Sequence, residues 1–332
     1  MTAALSLSGL SRRKLLAGLA AAPALTSSVA PTLAQTQAVT QTQAALKAAR
    51  GTKLVMLGTA GGPVPGRPRK MTSHVMLSNG AAYILDCGLG VTDRFAATGI
   101  PFNAVQSIFI THHHPDHNCE YGPFLLVGWV NGLRPSVRSY GPPPLKEMTE
   151  DLLRAYQATM AFWAEDFKMM PLGMINVTEV SGAGPVMHDD NVTVTSVVVQ
   201  HPPVTPALGY RFDFRDRAIA FSGDTTPLGT VAQFARGADV LVHEAISFKA
   251  LEDALRVQIS QGFPVDIDTL MAHMRADHSP VEDVGRIAAD AGVKTLVISH
   301  LIPVIDNDDA WRAAAAKAFK GEIIVAKDLM VL

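Results

Sequence analysis

The seven residues Thr111-His112-His113-His114-Pro115-Asp116-His117 constrain this chain more than any other feature. They set the pattern His-x-His-x-Asp-His directly after 107–111, a β-branched run that predicts a strand. Imidazole and carboxylate are the donors a borderline ion such as zinc takes, and a loop leaving a strand can aim several of them at one point. His112, His114, Asp116 and His117 are too few for two ions, so more ligands are expected at later strand ends. His201 follows the predicted strand 191–200, Asp224 follows 218–222, and His300 follows 295–299. Each falls where a β-run meets a loop.

From Lys53 onward, short β-branched runs alternate with amphipathic stretches. Strands are expected at 54–57, 73–77, 83–85, 107–111 and 137–140, then at 191–200, 209–214, 218–222, 240–243, 295–299 and 322–326. Helices are expected near 91–98, 119–131, 145–167, 229–236, 280–291 and 308–318. Both halves read as strands with helices on the outer side. The fold class is therefore α/β, an αββα sandwich of two facing mixed sheets, as one domain over 51–332. Hydrophobic residues at 48% and charged residues at 17% leave ample material for its core. Ser279-Pro280-Val281-Glu282 reads as a helix start capped by Ser279, which puts His278 on the preceding loop.

The N-terminus reads as an address. Ser11-Arg12-Arg13-Lys14 heads an uncharged apolar run over 15–30, and Thr32-Leu33-Ala34 supplies small residues for cleavage before Gln35. That order is a twin-arginine export signal over 1–34, followed by a polar leader over 35–50. The expected location is periplasmic or secreted, with no membrane span left after processing. Lys and Arg number 28 against 30 Asp and Glu, and signal removal takes away three more positive charges. Affinity for a phosphate backbone rests on clustered cations, so this balance argues against nucleic acid as a partner.

With these residues in hand, the chain resembles the metallo-β-lactamase superfamily, and within it the branch of ribonuclease Z and zinc arylsulfatases and phosphodiesterases. Leu57-Gly58-Thr59, Leu85-Asp86-Cys87-Gly88, the histidine motif, His201 with Gly209-Tyr210-Arg211-Phe212, Gly223-Asp224-Thr225, Val242-His243-Glu244-Ala245, His278-Ser279 and Ile298-Ser299-His300 carry the likeness. The resemblance implies that His112, His114 and His201 hold one divalent ion and that Asp116, His117 and His300 hold a second. Asp224 would bridge them, and Asp86 would brace the histidine loop. It implies zinc, with manganese or iron as alternatives, and a hydroxide shared by two ions as nucleophile. It also implies that Asp116 orients the attack and that Glu244 steadies His278, which protonates the departing oxygen. Asp at 224 speaks against lactam hydrolysis, and His at 114 against the diiron oxygen reducers. No Gly-x-Ser-x-Gly elbow offers another nucleophile.

The expected function is cleavage of phosphate or sulfate esters of small molecules. A lactonase or carboxylic-ester hydrolase is the alternative, and a non-catalytic metal- or ligand-binding protein a weaker one. The stretch 142–176 carries Tyr156, Met160, Phe162, Trp163, Phe167, Met169, Met170 and Met174, where ribonuclease Z has a basic arm. It is expected to pack in the core or a homodimer interface, or else to line a pocket for an apolar substrate group. Cys87 and Cys119 read as two buried thiols, with one bridge as the alternative. His243 reads as a packing group, and His74, His113, His188 and His273 as ordinary residues.

Overall fold

The structure is a computed structural model that describes residues 33–169, 172, 175–262, 266–305 and 307–332. It divides into Met1–Ala38 and Val39–Leu332. The export signal expected over 1–34 lies outside the described residues except for its last two positions. Most of the 35–50 stretch, expected as a polar leader, is helical, in α1 (Leu33–Ala48). Thr42, buried on this helix, donates to Leu329 O at 2.6 Å.

The first half continues with β1 (Lys53–Gly58), β2 (Ser73–Ser78), β3 (Ala81–Leu85), α2 (Val91–Thr98), β4 (Val105–Phe109) and α3 (Pro115–Asn118). Next come α4 (Tyr121–Val130), β5 (Arg138–Gly141), α5 (Leu145–Ala155), α6 (Gln157–Phe167) and β6 (Asn176–Glu179). The second half opens with β7 (Gly184–His188), β8 (Val192–His201), β9 (Val204–Phe214), β10 (Ala218–Phe221), α7 (Gly229–Ala235) and β11 (Val240–Ile246). It then runs through α8 (Phe248–Ser260), α9 (Ile267–Asp277), α10 (Val281–Ala291), β12 (Thr295–Ile302), α11 (Asp308–Ala315), β13 (Glu322–Val325) and β14 (Met330–Val331).

One sheet has the order β14-β1-β2-β3-β4-β5-β6 and the other β13-β12-β11-β10-β9-β8-β7. Both are mixed: β3 to β6 and β10 to β13 pair in parallel, the remainder antiparallel. The inner faces mesh through large rings. Phe109 of β4 meets Tyr210 and Phe212 of β9 edge-on, with centroids at 5.6 and 5.0 Å. Outside, Phe95 of α2 and Phe124 of α4 cover the first sheet. Val284 of α10 and Trp311 of α11 cover the second. This is the αββα sandwich that the alternating runs require.

Three local expectations fail for physical reasons. The helix predicted over 145–167 breaks at Tyr156 into α5 and α6. Its aromatic stretch only flanks the core: Met160, Trp163 and Met169 pack against it partly buried, while α6 has no fully buried residue and Phe162 is 68% exposed. Met170 and Met174 lie outside the described residues. Ser279 does not cap α10, because its hydroxyl donates instead to Thr225 O at 2.7 Å and Pro280 takes the cap position. His278 thereby ends α9 as well as preceding α10.

The site gathers where strands of both sheets end, the usual ligand-binding edge of parallel sheets. Two ligand-type histidines stand at register breaks. β11 and β12 pair Glu244 with Ser299 and then Ala245 with Leu301, so His300 is the extra residue, at φ +46°. β8 and β9 break register between Val199 and His201. A bulge re-aims a side chain that strict alternation would send elsewhere. Asp86, at the end of β3, also sits at positive φ (+60°), a conformation costly for a non-glycine residue that clusters at functional sites.

Candidate metal centre

The fold brings all seven ligand-type side chains into two touching groups. His112, His114 and His201 form one; Asp116, His117, Asp224 and His300 form the other, with the donor atoms in each group within 4.8 Å of one another. His114 Nδ1 lies 3.0 Å from His112 Nε2 and 3.0 Å from His201 Nε2. Asp224 Oδ2 reaches both groups, at 3.0 Å from His300 Nε2, 3.2 Å from His117 Nε2, 3.9 Å from His112 Nε2 and 4.0 Å from His201 Nε2.

The chemistry of the donors fits a divalent cation. His201 Nδ1 donates to Asp277 O at 3.0 Å, so in the neutral ring Nε2 is a bare lone pair aimed at the cluster. His117 Nδ1 is held by Asp86 Oδ2 at 2.9 Å, while its buried Nε2 faces the group without a hydrogen-bond partner. Ligand nitrogens about 2.0–2.1 Å from a tetrahedral ion would stand about 3.4 Å apart, close to the spacings seen. The electrostatics agree. Burial, the largest influence, keeps His112 well below the usual imidazole range and His114 at about 4, in the neutral form that ligates. Around His117 and His300 burial opposes protonation, but Asp224 and its fellow carboxylates outweigh it, raising His117 well above the usual range and His300 to about 10. That excess of negative charge stabilises a cation at this spot. Asp224 itself is held far below the usual carboxylate range: burial raises it, and His300 and His117 more than reverse that.

Asp86 braces the histidine loop as expected, accepting from Thr111 N at 2.8 Å as well as from His117. We expect Asp86→Asn to weaken metal binding about 10- to 100-fold, the usual cost of losing a carboxylate behind a ligating histidine. Metal titration of the apo variant, with its melting temperature as control, checks this.

Next to the cluster, His278 Nδ1 lies 3.0 Å from Glu244 Oε2, both side chains buried. The other oxygen, Oε1, accepts from Thr225 N at 2.9 Å and Ser279 N at 3.2 Å, which fixes the carboxylate. Burial works against charge on His278, yet Glu244 prevails and its pKa is raised. A cavity of about 410 Å³ opens over His114, Asp116, Asp224, His278 and His300.

Some residues surprise. His74, read as ordinary, is buried behind the centre with Nε2 3.5 Å from Ser299 Oγ, and burial lowers it to about 3. The alternation of β2, which places His74 on the same inner face as Met76, could have shown this. His243 is the packing group expected, donating Nδ1–H to Glu244 O at 2.8 Å. Both thiols are free, and Cys119 is exposed rather than buried. The cavity has no lining from 142–176 among the described residues; much of its apolar wall comes from α8 and α9, joined by Val64 and Ile302.

A buried cluster of five histidines and two aspartates at the strand ends of an αββα sandwich defines a metal-dependent hydrolase. Comparison with known proteins agrees. Residues 82–301 match the family described as "Beta-lactamase superfamily domain". A ribonuclease Z from Mycobacterium bovis (strain BCG / Pasteur 1173P2) is 33% identical over 283 residues, covering 83% of this chain and 96% of the relative. Among structures, the metallo-beta-lactamase fold protein YhfI from Bacillus subtilis aligns with TM-score 0.64 at 20% identity, over 85% of this chain and 99% of that one. The short form of human tRNase Z aligns with TM-score 0.59 at 19% identity, over 84% and 98%. The chain belongs to the metallo-β-lactamase superfamily, on its ribonuclease Z-like branch.

These relatives correct one expectation. A ribonuclease, by its name, acts on RNA, so the expectation of a small-molecule ester with no nucleic acid is overturned. Net charge averages over the whole surface, whereas a nuclease site needs cations only where the phosphate sits.

Proposed function

We propose that this protein is a dinuclear-metal phosphodiesterase that cleaves RNA, exported through the twin-arginine route. The observation that carries the reading is His278 at the wall of the cavity over the seven-ligand cluster, backed by Glu244 at 3.0 Å. His112, His114 and His201 would hold one ion, Asp116, His117 and His300 the other, and Asp224 both; imidazole and carboxylate donors favour zinc, with manganese or iron as alternatives. When bound, the two ions supply positive charge for the phosphoryl oxygens and a hydroxide nucleophile at neutral pH.

The chain's own groups do the rest. Asp116 Oδ2 accepts from Gly62 N at 2.7 Å and lies 3.2 Å from His300 Nε2, which places a carboxylate at the cavity floor to orient the attacking group. His278, whose protonated form Glu244 stabilises against burial, passes the proton held at Nε2 to the departing alkoxide. Glu244 retains Nδ1–H and so keeps the ring in the donating orientation. A carbonyl substrate needs no such acid, so the pair favours phosphodiesters over lactones. Export is supported by Arg12, Arg13 and the apolar run behind them. Among the described residues no helix is long and apolar enough to cross a membrane.

The experiment is a substrate panel on metal-loaded protein: a 3′-extended oligoribonucleotide, bis(p-nitrophenyl) phosphate, p-nitrophenyl sulfate and an acyl lactone. Cleavage of the oligoribonucleotide and the diester is expected. Turnover of the lactone alone would sink the reading.

A further inference from the structure

The cavity over the cluster has a wall that neither the ligands nor the Glu244–His278 pair accounts for. Between those two residues the chain lays down α8 and α9. Leu251, Ala254, Leu255 and Gln258 of α8 recur at i, i+3, i+4 and i+7, so they share one helix face. Leu270, His273 and Met274 of α9 recur at i, i+3 and i+4 and do the same. Both faces line the cavity. The loop between β1 and β2 adds Arg67 to the same lining, the one Lys or Arg among its described residues. It is partly buried, and its Nη1 donates to Gly61 O at 3.1 Å.

We propose that this wall seats the base of the nucleotide at the scissile phosphate, with Arg67 against a non-bridging phosphate oxygen. This rests on the phosphodiester reading above and names the part of the substrate that the wall selects. Three features point to a nucleotide. The volume, about 410 Å³, suits one compact group beside the reacting phosphate rather than a long chain. Leu251, Leu255, Leu270 and Met274 offer an apolar surface for a ring face. Gln258 and His273 stand on the same two helix faces and bring an amide and an imidazole, which match the donors and acceptors on the edge of a base and would be wasted on a hydrocarbon. The Arg67 guanidinium in the same cavity supplies the planar fork that phosphate oxygens take.

The test compares KM for uridine 5′-(p-nitrophenyl phosphate), methyl p-nitrophenyl phosphate and benzyl p-nitrophenyl phosphate, all with the same leaving group, on the metal-loaded enzyme. The uridine diester is expected to have a KM about tenfold below the methyl diester, and Leu270→Ala with Met274→Ala to erase most of that ratio. Arg67→Gln should raise KM for all three. Calorimetry on the wild type, with uridine 5′-monophosphate against ribose 5-phosphate, gives a readout free of turnover and of variant folding; tighter binding of the nucleotide is expected. Equal KM for uridine and methyl diesters, or a ratio unmoved by the wall variants, overturns the proposal and leaves the phosphodiester reading intact. A benzyl diester that matches the uridine diester overturns the base assignment. If no diester is turned over, the phosphodiester reading fails, and equal calorimetric affinity for the two monophosphates then overturns the wall as well.

Discussion

Asp224→Ala is expected to lower kcat/KM on a phosphodiester by about three orders of magnitude, about 4 kcal/mol of transition-state stabilisation. Purified variant should also retain less metal. The expectation follows from reach: Asp224 Oδ2 is the carboxylate oxygen, among the described residues, that lies within 4.0 Å of imidazoles in both ligand groups. It also carries much of the charge balance. Without it, buried His117 and His300 face each other with only Asp86 and Asp116 to offset a cation, and burying charge that is poorly paired is costly. Asp224→Asn keeps the shape and one acceptor oxygen but not the charge, and should fall between Ala and the wild type. Steady-state kinetics with elemental analysis of the same preparations decide the matter. A variant that keeps both its metal and its rate would show that Asp224 is a neutral bystander.

The ligand set was legible because its geometry is written locally. A strand end is visible as a β-branched run stopping at a loop, and His112, His201 and Asp224 stand at or just past one, whereas His300 lies inside β12, which runs on to Ile302. The bulges that aim His201 and His300 were not legible, since one extra residue in a ladder leaves no compositional trace. The relay of Glu244 and His278 could be named through resemblance, yet its rigidity comes from the backbone N–H groups of Thr225 and Ser279, which sequence does not point. Helices α8 and α9 did carry a signal. Leu251 and Leu255, like Leu270 and Met274, are four apart, but among Lys, Glu, Asp and Gln neighbours these short faces are easily read as solvated. Their partner is a cavity rather than a core, so their apolar stripe is narrow. Ser279 illustrates the opposite error: a sound capping pattern lost to a better-placed tertiary acceptor, Thr225 O.

His278→Ala should separate leaving groups. For a diester that departs as an alkoxide, the loss of a positioned acid is expected to cost about 10²- to 10⁴-fold in kcat/KM. For one that departs as an activated phenolate, which needs little protonation, the loss should be under about tenfold. The substitution leaves Glu244 anchored on Oε1 by two backbone N–H groups, so the surrounding loop keeps its support. Metal content should hold, which distinguishes this variant from Asp224→Ala. The pH profile gives a second readout, with its sign fixed by Glu244. Burial opposes charge on His278 but Glu244 outweighs it, so its pKa is raised above the ordinary imidazole value, and wild-type activity on the alkoxide diester should fall as pH climbs through that raised pKa. The alkaline fall belongs to the imidazole, so it should vanish in His278→Ala. In Glu244→Gln it should move to lower pH, since burial is then opposed by Asp224 alone, the weaker of the two carboxylates acting on His278. Equal slowing of both diesters, with the alkaline limb still in place, would mean that the pair braces the loop between α9 and α10 and that the proton comes from elsewhere.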